Sequence, residues 1–261
     1  MFCVCDILTE LEPYTCLNPS GGNMSILKIK CISQLHAILG IYLIHVIIRY
    51  SGNLNELFIP LSMMIIWPIP WLFSTKQARV GMGFKSPMNK NWYFWGPLSA
   101  LCALAICTVI VWIIFGNDIN NWMVQHALYL NKSLSQAPSD ASILTLFILA
   151  TIPALIFSPF AEEFLYRGYM ITGFSRVWDV KTAVFIQATA FSLVHLAHYG
   201  LNPFQPLLIA IWFPSMFFVS VVLGWIVLKS GSIWVAVLSH GFFNLGMNGL
   251  VFLLLPEVIG V

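Results

Sequence analysis

Three short polar groups interrupt long apolar stretches of the chain: Glu162-Glu163-Phe164-Leu165-Tyr166-Arg167, Phe191-Ser192-Leu193-Val194-His195 and His240-Gly241-Phe242-Phe243-Asn244. On a helix, Glu163 and Arg167 stand one turn apart and can form an internal ion pair, while Glu162 is turned by roughly 100° and left without that partner. His240 and Asn244 are also one turn apart and present an imidazole beside an amide. A buried carboxylate resists ionisation, and a neighbouring imidazole that becomes cationic pulls it back toward its charged form. Such a pair can take a proton from a water as that water attacks a carbonyl. His240 and Asn244 can then donate to the developing oxyanion, commonly worth about 3 kcal/mol per donor. No serine sits in a Gly-x-Ser-x-Gly elbow and no cysteine lies near these histidines in sequence, so covalent catalysis lacks a good nucleophile. One Glu and two His also match a catalytic zinc with an open position. There is no His-Glu-x-x-His, however, and with one imidazole per helix the metal-free reaction is preferred.

The elements that must carry these groups are membrane helices. Of 261 residues, 59% are hydrophobic and 8% charged, with a mean hydropathy of +0.85. Twelve basic and ten acidic residues cannot cover the surface of a soluble fold of this size. A net charge of +2 offers no basic stripe for nucleic acid. Stretches near 32–50, 57–73, 95–115, 143–171, 180–198, 206–228 and 232–255 approach the roughly 20 apolar residues a bilayer requires. The expected fold is all-α, a polytopic integral membrane helical bundle of about seven transmembrane helices (six to eight). The second stretch carries Pro60, Pro68 and Pro70 and is expected to be kinked or re-entrant.

Basic residues give an orientation. With the N-terminus cytoplasmic, inner segments hold Lys28, Lys30, Lys76, Arg79, Lys85, Lys90, Arg176, Lys181 and Lys229, and outer ones only Arg49 and Lys132. Counting 1.5 Å per residue from the inner ends, Glu162, His195 and His240 fall roughly 15, 20 and 14 Å deep. Ionisable residues at that depth are expensive and usually functional, and a common level is what a shared site requires.

Residues 1–23, acidic and cysteine-bearing, do not read as a signal peptide. Met24 makes a natural start, and a metal site at Cys3-Val-Cys5 has little support. A single transmembrane domain is expected over 24–261, with a functional core at about 143–255. The segment 116–140 reads as the one sizeable outer loop. His198 reads as an interfacial residue, Asn248 continues the Asn244 face, and His36, His45 and His126, with no acidic neighbours, are given no role.

Taken in order, Glu-Glu-x-x-x-Arg, Phe-x-x-x-His and His-x-x-x-Asn, each in its own apolar helix, resemble the CAAX protease and bacteriocin-processing (CPBP) family, which includes the type II CAAX prenyl endopeptidases. The resemblance covers about residues 143–255. It implies an intramembrane endopeptidase whose site opens toward the cytosol. By the same resemblance, Glu162 and His195 activate water, His240 and Asn244 stabilise the oxyanion, and Glu163 and Arg167 support them. No cofactor is required in the preferred mechanism, and a divalent zinc ion is the competing one. The expected partners are the lipid bilayer and a peptide or protein substrate, prenylated or a leader peptide, in a bacterial plasma membrane. Two other readings use the same cluster: a non-catalytic bacteriocin immunity or membrane scaffold protein, and a proton-coupled transporter, the weaker of the two.

Overall fold

A computed structural model describes residues 24–259 apart from 53, 55–57, 136 and 139; for residues 24–33 and 259 it describes the backbone. The readings of residues 1–23, including Cys3 and Cys5, lie outside the described residues. In chain order the helices are α1 (Met24–Ser51), α2 (Phe58–Ile66), α3 (Ile69–Phe73), α4 (Lys76–Gly81), α5 (Trp92–Phe115), α6 (Trp122–Leu134) and α7 (Ile143–Glu162). A π-helix (Glu163–Met170) continues α7 without a break into α8 (Ile171–Phe174). Then follow α9 (Val180–His195), α10 (Pro206–Ser230), α11 (Ile233–Leu254) and α12 (Pro256–Ile259).

The molecule is a polytopic bundle of membrane helices. Among the described residues five segments are long and apolar enough to cross a bilayer: Gln34–Ser51, Trp92–Phe115, Ile143–Phe174, Pro206–Ser230 and Ile233–Leu254. Two of the seven expected spans are shorter. The second breaks between α2 and α3 at Pro68 and Pro70, which supply no N–H to an i→i−4 ladder. α9 has 16 residues and stops at His195. Ile110, Ile113 and Ile114 on α5 and Leu144, Leu149 and Ile152 on α7 are exposed, as lipid-facing side chains must be.

Local chemistry sets the ends. Ser142 caps α7 by accepting from the Thr145 N–H, and Asp179 caps α9 by accepting from the N–H groups of Lys181 and Thr182. Gly231, at φ +67°, closes α10 in the left-handed conformation that favours glycine. α11 packs most extensively against α5 and α7, and α9 against α10.

The segment 116–140 is not a loop. Asn121 accepts from the Met123 N–H and starts α6, which buries Trp122, His126 and Leu130 along one face. The i, i+4, i+8 spacing of those residues overrides the polar composition around them.

Candidate active site

The site begins at an irregularity in the longest membrane segment. α7 contains Pro153 and Pro159, and at Glu162 the regular helix gives way to the π-helix. Wide turns of this kind are rare and occur at functional sites. Here the turn is buried along its whole length, placing Glu163, Arg167 and Tyr166 in the interior next to Glu162.

The ion pair is present. Arg167 Nη1 donates to Glu163 Oε1 at 2.9 Å with both side chains fully buried. Its Nη2 donates to Ser220 Oγ at 2.9 Å, and the guanidinium lies over Phe191, 4.6 Å from the ring centroid. Ser220 Oγ in turn donates to Gln187 Oε1 at 3.2 Å. One arginine therefore joins the π-helix to α9 and α10. Gln187 and Ser220 were not singled out from the sequence, because lone polar residues in apolar helices carry no spacing signal.

Glu162, His195 and His240 converge. Glu162 Oε2 lies 3.7 Å from His195 Nε2 and 3.9 Å from His240 Nε2. This buried oxygen accepts no hydrogen bond. The outer nitrogens of both rings are committed: His195 Nδ1 to the Phe191 carbonyl at 2.7 Å and His240 Nδ1 to Glu163 Oε1 at 2.8 Å. Both Nδ1 atoms face acceptors and so carry protons, which leaves each Nε2 directed at Glu162 as a lone pair unless its ring gains a second proton. The separations are too long for direct hydrogen bonds and suit one shared polar atom among the three.

Asn244 stands one turn beyond His240, but its Nδ2 donates to the Ala154 carbonyl at 2.9 Å and ties α11 to α7. Asn248 repeats the tie one turn further on, donating to Thr151 Oγ1 at 3.2 Å and accepting from His126 Nε2 at 2.7 Å.

The donor set suits zinc in its chemistry but not in its spacing. Ligands of a tetrahedral ion at 2.0–2.1 Å stand about 3.3 Å from one another, against 3.7 and 3.9 Å here. Among the described residues no group of three His, Cys, Asp or Glu side chains is placed to hold a metal ion.

His195, His240 and Asn244 line a cavity of about 330 Å³ that also takes in Arg49, His126, His198 and Asn248. Glu162, 1% exposed, lies behind that wall. Three expectations change here. His198 and His126 both border the cavity rather than standing apart from the site. His126 was overlooked because its partners, Tyr199 and Asn248, are neutral and distant in sequence. The cavity also does not occupy the helix ends expected to face the cytosol. Its walls come from the later part of α1 and α11 and the first half of α10, remote from Lys85, Lys90, Arg176 and Lys229.

The basic end is filled instead by Trp71, Phe84, Phe160, Phe164 and Trp234, packed mostly edge to face. A backbone latch reinforces it, in which the Ile233 N–H donates to Gly83 O at 2.8 Å. Gly83 adopts φ +92°, and a Cβ there would lie 3.1 Å from the Ile233 nitrogen, so the latch requires glycine.

No curated protein and no solved structure gives a significant match to the chain. A family model does match, over residues 144–246, and its description is type II CAAX prenyl endopeptidase Rce1-like. That stretch contains Glu162, Glu163, Arg167, His195, His240 and Asn244. Over residues 144–246 the chain is thus similar to the Rce1-like type II CAAX prenyl endopeptidases, which supports the resemblance of the three motifs to the CPBP family.

Proposed function

We propose that the protein is an intramembrane endopeptidase that hydrolyses a peptide bond in a lipidated or membrane-proximal peptide, with Glu162 and His195 activating water. The observation that carries this reading is the approach of His195 Nε2 and His240 Nε2 to the buried, unpartnered Oε2 of Glu162. A water shared by these three atoms meets three acceptors but has only two protons. One imidazole must therefore hold a second proton, and His240 is placed for it because Glu163 receives its Nδ1–H.

In this mechanism the water oxygen attacks the scissile carbonyl carbon and passes one proton to Glu162 or His195. The carbonyl oxygen becomes an oxyanion that accepts from protonated His240 Nε2 and from the second N–H of Asn244. Collapse breaks the C–N bond, and the proton taken from water goes to the leaving amine. No metal is used. The buried Arg167 and Glu163 hold His240 in place and do not touch the substrate.

The test is cleavage of an amphipathic or prenylated peptide by purified full-length protein in detergent. Glu162→Gln and His195→Ala should each lower the rate by about 100-fold or more, with an unchanged melting temperature, and a zinc chelator should leave the wild type active. Full activity in Glu162→Gln would overturn the assignment.

A further inference from the structure

Arg49 is a buried cation for which the site described above has no use. It sits near the end of α1, 6% exposed, and lines the same cavity as His195 and His240. Its Nη2 donates to His198 Nε2. A guanidinium offers five N–H donors in a fixed fork, and this contact takes up one of them with a neutral acceptor. Among the described residues no carboxylate forms an ion pair with Arg49. The acid whose field reaches it is Glu162, beyond salt-bridge range. Leaving a buried charge in this state is costly, and intramembrane arginines ordinarily pair or mark a ligand path.

Its position relative to the reacting groups is defined. His198, which receives Arg49, stacks on His195 at 5.6 Å between ring centroids, and His195 Nε2 is 3.7 Å from Glu162. The guanidinium therefore lies one imidazole beyond the base, further along the same cavity wall. Tyr129 packs edge-on to His198, and the cavity that Arg49 lines is bordered largely by apolar and aromatic side chains such as Met63, Phe157, Phe191 and Trp212. In such surroundings a bidentate carboxylate is held far more firmly than in water.

We propose that Arg49 is an anion anchor that binds a carboxylate at the end of the substrate peptide, fixing which bond lies over Glu162. This rests on the endopeptidase reading for the name of its ligand, and it makes Arg49 a specificity-determining residue rather than a catalytic one. The chain terminus and an acidic side chain near it share the required chemistry. The peptides compared below distinguish the two sources.

The experiment measures binding in full-length Glu162→Gln protein in detergent, so that it does not depend on turnover. Three fluorescent amphipathic peptides of one sequence are compared: a free C-terminal acid, its C-terminal amide, and the amide carrying a final aspartate. The acid should bind at least tenfold more tightly than the plain amide. Arg49→Gln should remove that difference while leaving the affinity for the amide unchanged, which also reports on folding. Arg49→Lys should restore part of it. If the aspartyl amide matches the acid, the anchor reads any terminal-region carboxylate and the proposal stands in that wider form. Equal binding of acid and amide by Arg49-containing protein overturns it, as does equal loss of both in a folded Arg49→Gln. Failure of the endopeptidase reading would show differently: tight, Arg49-dependent binding of the acid, with no cleavage by the wild type.

Discussion

His240 and Glu163, distant in sequence, share a 2.8 Å hydrogen bond from Nδ1 to Oε1, and Arg167 donates to the same oxygen at 2.9 Å. One carboxylate oxygen thus neutralises a buried arginine and decides which imidazole nitrogen faces Glu162. Replacing Glu163 by alanine strands the Arg167 charge in the interior, where breaking a buried pair costs about 3–5 kcal/mol. Glu163→Gln keeps an acceptor for His240 and should cost less while still slowing cleavage. Denaturant unfolding in detergent orders the two variants, and an alanine variant as stable as the wild type would remove the pair from the account.

Asn244 has two duties to separate. Its bond to the Ala154 carbonyl joins α11 to α7, and interhelical bonds of this type are worth about 1 kcal/mol. Asn244→Ala should show that loss of stability together with a drop in kcat of roughly 100-fold if its second N–H serves the oxyanion. A stability loss with kcat intact would confine Asn244 to the helix contact.

His126 makes stability depend on pH. Burial holds its pKa down to about 4, opposed by the hydrogen bond to Asn248. The unfolded chain binds a proton near pH 6.5 that the folded chain refuses. The stability owed to this group is therefore complete above 6.5 and is lost as pH falls toward 4, at up to about 1.4 kcal/mol per pH unit. Melting curves of the wild type should steepen in their pH dependence across that interval, and those of His126→Gln should be flatter.

Helix spacing gives a fourth expectation. A Cβ on Gly96 would come within 2.6 Å of Ser239 Oγ and 2.7 Å of Val235 Cγ1, short stiff side chains on α11. On Gly246 it would meet the flexible ends of Leu101 and Leu104 at 2.9 and 2.8 Å. Gly96→Ala should destabilise by about 1–3 kcal/mol and Gly246→Ala by less, measured by thermal melts of the two variants side by side.

How much of this was legible in the sequence follows from period and depth. Glu162, His195 and His240 stood at one level in apolar helices, and that arithmetic needs only the rise per residue. The Glu163–Arg167 pair was readable from its spacing. Arg49, His198 and His126 were not, because their hydrogen-bond partners are distant in sequence and none is a carboxylate, and nothing in the local pattern distinguishes them from interfacial residues. α6 was hidden by its polar composition, although Asn121 before Trp122 is an ordinary cap signal. Which end of the bundle the cavity occupies depends on an aromatic plug assembled from α3, the segment after α4, the π-helix and α11, and no single stretch of sequence contains it.

The eight-residue π-helix carries a further consequence for how the chain tolerates change. Relative to an ordinary helix it is an insertion that has been absorbed into the turn, and the phase of everything after Met170 depends on it. Loss of a single codon between 163 and 170 would restore the normal pitch, and each residue of the turn beyond the deletion would take its neighbour's place, about 100° round the helix. Arg167 would swing away from Ser220 although every functional side chain could still be encoded. Length, more than identity, is the fragile property of that stretch.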